Sequence, residues 1–266
     1  IIFEKKSIGQ RKKLARNSKL FFQGMELTRY IEPEKIFSCV AAFGGGINSC
    51  LKMEVYGTLV LAKLIKSASA KNNEYDALSF SINSKSIVAT LKKGQWTKWL
   101  PITLNWKGKA VKSNIKLHVI AVGPNDFFRV RILVDSLNKS IVEPAFAAKD
   151  LQSDVGPMVD FVDNFPPQLV YYPEDKRTFL AESKMSFKWH LNSIDKIYKR
   201  YNPDIFIHDI YSPNVMLTSK WWMGYVDPNS TRYQDVTERE RATLWTEVLG
   251  MYRDLDAIVG KVLDNA

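Results

Sequence analysis

Asp-Ile-Phe-Ile-His-Asp-Ile-Tyr-Ser-Pro-Asn-Val-Met-Leu-Thr-Ser-Lys-Trp-Trp-Met-Gly-Tyr-Val-Asp-Pro occupies residues 204–228, and the reading of the whole chain turns on it. Asn202-Pro203 breaks whatever precedes, because proline lacks an amide hydrogen and disfavours the helical conformation in the residue before it. Ile205, Phe206, Ile207 and Ile210 then form a short apolar run, the pattern expected of a strand covered on both faces of a sheet. Ser212-Pro213 stops the run, so the polar residues after it are expected in a loop at the strand's carboxyl end, where open α/β sheets bind their ligands. Trp221 and Trp222 are adjacent in that connection, and two such bulky rings imply that it packs against something substantial.

Upstream, the sequence predicts a long helix from about Thr178 to Arg200. Phe179, Met185, Leu191, Ile194 and Ile197 form its inner face, and Lys184, Lys188, Lys196 and Lys199 its wet one. A helix feeding directly into an apolar strand is a step expected of a wound sheet. Downstream, Thr237-Glu238-Arg239-Glu240 has the spacing of a capping box and opens a helix to about Leu263, with Leu244, Val248, Leu249, Tyr252, Leu255, Ile258 and Val262 at helical spacing. That helix is expected to cover the sheet.

The amino-terminal half has a different texture. Residues 1 to about 25 show no period and read as an irregular basic lead-in. Pro33 suits the first turn of a helix carrying Ile36, Phe37, Val40 and Ala41, which Gly44-Gly45-Gly46 would end, and residues 51–65 read as a second helix with Val55, Leu59 and Leu64 inward. The triple glycine lacks the lysine and spacing of a phosphate-binding loop, so it is taken as a helix-stop turn. From Ala77 onward, residues 77–82, 114–122 and 127–134 alternate, and Gly123-Pro124-Asn125-Asp126 signals a turn between the last two. Residues 77–142 therefore read as a compact β-rich lobe, with Trp96, Trp99 and Trp106 in its core rather than forming a ligand platform. The expected organisation is a basic lead-in with helices over 1–76, the β-rich insertion over 77–142, and an α/β segment over 143–266.

A strand beginning Pro203-Asp204, followed by a loop and a Trp-rich turn closing in Tyr225-Val226-Asp227-Pro228, resembles the type I phosphodiesterase and nucleotide pyrophosphatase branch of the alkaline phosphatase superfamily. A second stretch, Gly94-Gln95-Trp96-Thr97-Lys98-Trp99, resembles the Gly-x-Trp-x-x-Trp element of a β-rich insertion found in some members of that branch, and Glu174-Asp175 falls where those relatives carry a Glu-Asp-Thr-like element. The resemblance implies an alkaline-phosphatase-like wound sheet with flanking helices, and a metal-dependent hydrolase cleaving phosphodiesters or phosphomonoesters through a covalent phospho-enzyme. It also implies two divalent metal ions, zinc or manganese. Its Asp and His ligand positions fall on Asn214 and Thr218, which offer only a neutral carbonyl and a hydroxyl; His208 and Asp209 are possible substitutes. The other ligands and the hydroxyl nucleophile have no counterpart in these 266 residues, so the chain reads as the central portion of a longer enzyme, inactive by itself, with a small phosphorylated substrate as the partner of the intact protein.

Other features bound this reading. An apolar content of 45% in 266 residues suffices for a packed core, and no stretch approaches the roughly 18 uninterrupted apolar residues of a membrane span. Cys39 and Cys50 show no metal-ligand spacing and fit a reducing compartment, which gives a cytoplasmic reading. The net charge of +10 gathers partly in Lys5, Lys6, Arg11, Lys12, Lys13, Arg16 and Lys19. Without a recognisable nucleic-acid module this is read as a solvated basic edge, although a phosphate-ester groove would also profit from it. His208 within an apolar run is read first as a structural histidine, and Asp227 before Pro228 as the maker of a turn bond. Glu174 and Asp175 are taken as capping residues at a helix start. The competing reading is a non-catalytic relative whose basic cleft binds a phosphorylated ligand or a partner.

Overall fold

The computed structural model describes residues 2–5, 30–31, 34–35, 50–70, 74–83, 86–106, 108–123, 127–135, 142–159, 173–210, 213–218 and 221–265. The chain divides into two compact units, 1–135 and 136–266. The fold is mixed α and β, with two sheets in the first unit and helices in the second.

Among the described residues the first unit holds ten strands: β1 (Ile2–Lys5), β2 (Tyr30–Ile31), β3 (Glu34–Lys35), β4 (Cys50–Val55), β5 (Thr58–Ile65), β6 (Ala77–Ile82), β7 (Ile87–Lys92), β8 (Leu100–Trp106), β9 (Lys109–Val122) and β10 (Phe128–Val134). One sheet has the order β2-β1-β10-β9-β8 and the other β3-β4-β5-β6-β7. Among the described residues every pairing is antiparallel except that of β1 with β2. Both sheets contribute to one core in which Met53, Val60, Phe80, Leu117, Phe128 and Val130 lose all contact with water. Apolar residues on one face of these strands supply that core, while β6 and β10 are buried on consecutive residues, so that Ser79, Ser81, Arg129 and Arg131 on the other face are shielded as well.

The expected strands at 77–82, 114–122 and 127–134 are present as β6, the second half of β9, and β10. The helical reading of 51–65 is corrected: the segment is a hairpin. Leu51, Met53 and Val55 on one arm and Val60, Ala62 and Leu64 on the other are buried at a spacing of two. Val55 pairs with Thr58 across Tyr56-Gly57, whose φ angles of 46° and 77° are both positive. Two consecutive left-handed residues make the tight turn whose twist matches that of the flanking strands. The lead-in is likewise corrected at residues 2–5, which form β1 against β10, and a strand occupies Glu34–Lys35 where a helix start was expected. Residues 36–49, including Cys39 and the triple glycine, lie outside the described residues.

In the second unit, α1 (Ala145–Asp154), α2 (Pro173–Tyr201), α3 (Pro213–Thr218), α4 (Met223–Val226), a 3-10 turn (Tyr233–Asp235) and α5 (Glu238–Leu263) follow one another. Helix α2 begins five residues before the expected start, which places Glu174 and Asp175 in its first turn. Phe179 and Ile194 are buried as expected, and the four wet lysines are exposed. Helix α1 packs on α2 through Ala148 and Leu151 against Trp189 and Ile197. Arg200 and Tyr201 both reach the Asp150 carboxylate. The capping box of α5 is formed, with Thr237 accepting from the Glu240 amide and Glu240 accepting from the Thr237 amide. Leu249 and Tyr252, expected on its inner face, are about half exposed, at 48% and 47%. No helix among the described residues is long and apolar enough to cross a membrane.

Candidate functional site

The decisive segment begins where α2 stops. Asn202 takes a φ of 40°, and its amide donates to the Tyr198 carbonyl at 3.0 Å, closing the last turn in the left-handed conformation that asparagine tolerates well. Pro203 then prevents further helix. Beyond it, exposure alternates: Phe206, His208 and Ile210 are half-buried, whereas Ile205, Ile207 and Asp209 are exposed. The expected strand is corrected: residues 204–210 form bends and irregular backbone and pair with no strand among the described residues, although their exposure keeps a strand's period of two. One face lies on α2. The expectation of cover on both faces is corrected, since Ile205 and Ile207 are 79% and 89% exposed.

The inner face is held by rings. Phe206 meets Tyr198 at 5.1 Å between centroids and turns its edge to His208 at 5.4 Å. His208 in turn places Nε2 2.7 Å from Nδ1 of His190 on α2. One nitrogen of that pair must donate and the other accept, so the contact needs at least one neutral imidazole. Burial, and then the neighbouring His208, push the His190 ring down to about 4. Burial also lowers His208, with Asp209 pulling it partly back. His208 Nδ1 is buried with no hydrogen-bond partner among the described residues. His208 thus packs the extended segment on α2 through its ring contacts with Phe206 and His190. The sequence offered a signal for its partner, because His190 lies three residues after Phe187 and four before Ile194, both buried on the same helix face.

After the segment comes α3, where a loop was expected. Pro213 occupies the first position, where its missing amide hydrogen costs nothing. Met216 is buried, whereas Asn214 and Thr218 are exposed and one turn apart, so they share a helix face. The Thr218 hydroxyl donates to the Asn214 carbonyl at 2.6 Å, leaving its oxygen lone pairs and the Asn214 side chain facing solvent. Two neutral oxygens fit zinc poorly, because they neutralise none of its charge and supply no imidazole. His208 is engaged with His190, and among the described residues no hydrogen bond joins His208 or Asp209 to Asn214 or Thr218. Among these residues, no three His, Cys, Asp or Glu side chains gather as a metal-binding group.

The Trp-rich turn anchors α3 and α4 to α5. Trp222 is fully buried, donates Nε1–H to Glu247 at 2.8 Å, and packs at 5.4 Å on Phe179 of α2. Lys176 sits over the Trp222 ring and pairs with the same Glu247 carboxylate. Asp227 makes the expected turn bond, accepting from the Asn229 amide at 2.9 Å. Arg232 donates to the Tyr225 hydroxyl, and Arg241 lies over the Tyr233 ring at 3.6 Å. In the first unit, the Trp96 element is stitched to β9 and its ring stacks on His118 at 4.1 Å, half-buried rather than in the core. Trp99 is half-buried as well, with the Lys116 ammonium 5.7 Å from its ring centroid, so the expectation that these two rings lie in the core is corrected. No family model matches this chain, and no curated protein or solved structure matches it either.

Proposed function

We propose that the chain is the central portion of a phosphoesterase-like hydrolase, in which α3 turns Asn214 and Thr218 toward a phosphate-ester substrate. The observation that carries this reading is the placement of the two residues. They lie one turn apart and exposed on a short helix, shortly after an extended segment whose outer face carries the exposed Ile205, Ile207 and Asp209. In this reading residues 204–210 supply one strand of an alkaline-phosphatase-like wound sheet, and the two divalent ions that the resemblance implies are held chiefly by other segments. The neutral donors favour a second reading as well, a non-catalytic relative that binds a phosphorylated ligand, since an amide and a hydroxyl can hydrogen-bond phosphate without any metal.

The two readings separate in one experiment on the full-length protein, comparing native sequence with Asn214→Asp combined with Thr218→His. With zinc or manganese present, the hydrolase reading expects turnover of an aryl phosphodiester above the metal-only blank. It also expects calorimetric metal affinity at least about tenfold higher in the double variant, since a carboxylate and an imidazole replace two neutral donors. Binding of a phosphorylated ligand without turnover would select the second reading. Unchanged metal affinity together with no turnover and no ligand binding would overturn both.

A further inference from the structure

Helix α5 carries two apolar seams. Leu244, Val248, Met251 and Ile258 are buried against the rest of the helical unit. Beside them runs a second seam, Trp245, Leu249, Tyr252, Asp256, Val259 and Leu263, advancing alternately by four and three residues. Its five large apolar members are 42% to 70% exposed. That repeat is the seven-residue pattern by which one helix packs along another, and 18 steps of about 1.5 Å give a contact roughly 27 Å long. An open groove of about 440 Å³ lies along it, bounded by Leu249, Tyr252, Arg253, Leu255, Asp256 and Val259.

We infer that this seam is a homodimer interface, in which α5 packs antiparallel against α5 of a second copy of the chain about a two-fold axis beside residue 254. The polar residues select this occupant. In a parallel pair Asp256 would meet its own counterpart, placing two carboxylates together in an apolar seam. In the antiparallel pair Trp245 and Leu263, Leu249 and Val259, and Tyr252 and Asp256 are each equidistant from position 254, so every residue meets the other member of its pair. Asp256 then faces the Tyr252 hydroxyl and lies within reach of Arg253 of the other copy. Both charges of the complementary set are present on each copy, as a two-fold interface requires. The largest side chain, Trp245, falls at the ends of the contact, leaving the polar set at its centre.

This inference does not rest on the phosphoesterase reading and has its own test. Sedimentation equilibrium of the chain should show a concentration-dependent dimer. Leu249→Lys and, separately, Val259→Lys should each weaken it at least tenfold, with circular dichroism unchanged because both positions are exposed. Asp256→Arg should also weaken it at least tenfold, and Arg253→Asp combined with Asp256→Arg should restore it to within about threefold of native. A monomer up to 100 µM would overturn the inference. So would a dimer indifferent to both lysine substitutions, or a double charge reversal that fails to recover.

Discussion

Burying an imidazole favours its neutral form, and the structure holds His118 in that condition. The ring is 5% exposed, stacks on Trp96, and contacts the Gln95 carbonyl at 2.9 Å. A carbonyl can only accept, so Nδ1 carries the proton. Burial pushes the group down to about 4, with the Gln95 bond opposing it and Arg131 adding to it. With the folded value below the unfolded one of about 6.5, the unfolded chain takes up a proton first as pH falls. Stability contributed by His118 is therefore intact above 6.5 and lost progressively between there and 4. We expect unfolding free energy to fall by about 2 kcal/mol from this residue between pH 7 and pH 5. His118→Phe keeps the stacking and removes the proton, so its loss over that range should be smaller by that amount in urea titrations at the two pH values. Equal losses in both proteins would refute the assignment. At this scale the sequence is legible in part: the turn bond of Asp227 follows from local chemistry. The contact between His190 and His208 does not, because it joins residues 18 apart through a helix end whose geometry depends on Asn202.

The β4–β5 hairpin shows what decides an element when two periods compete. Residues 51–65 are apolar enough that a helical stripe through Val55, Leu59 and Leu64 can be drawn, and so can two alternating arms. Tyr56-Gly57 breaks the tie, since a helix interior disfavours glycine by about 1 kcal/mol while a two-residue turn demands positive φ. The turn also reaches the other sheet: the Asn105 amide donates to the Tyr56 carbonyl at 2.6 Å, and Thr58 donates to the Thr103 carbonyl. A Cβ on residue 57 would stand 3.0 Å from the Asn105 Cβ. Gly57→Ala is thus expected to cost about 1–2 kcal/mol from the left-handed backbone alone, with the Asn105 contact adding to it. Chemical denaturation would show this as a lower midpoint at unchanged slope, and a neutral outcome would mean that the turn adopts another form. The long, capped helices were legible because their stop and start signals agree with their period. Their inner faces were less so, because Thr178, Glu182, Ser186, His190 and Ser193 form a buried polar line along α2, contrary to the usual apolar rule.

Across the whole molecule, the first unit satisfies its strands within two sheets, whereas the second leaves one strand-like segment half covered. Phe206 and His208 face α2, yet Ile205 and Ile207 are 79% and 89% exposed. Fully burying such a side chain yields about 1.5–3 kcal/mol, so two adjacent outward isoleucines forgo a gain comparable with a large part of a domain's net stability. The sequence could announce the apolar run but not its neighbours, because pairing is a property of the strands beside it. If residues 204–210 join a wound sheet in the intact protein, the same two positions change from bare to core. Ile205→Ser combined with Ile207→Ser then has opposite expectations in two settings. In the 266-residue chain it should shift unfolding by no more than about 0.5 kcal/mol, the range of exposed substitutions. In the longer enzyme that the phosphoesterase reading proposes it should cost about 4 kcal/mol or more, because each serine leaves both a cavity and a buried hydroxyl. Parallel denaturation of the two forms measures the difference directly, and a longer enzyme as indifferent as the short chain would strip the wound sheet from the phosphoesterase reading, leaving that reading on the placement of Asn214 and Thr218 alone.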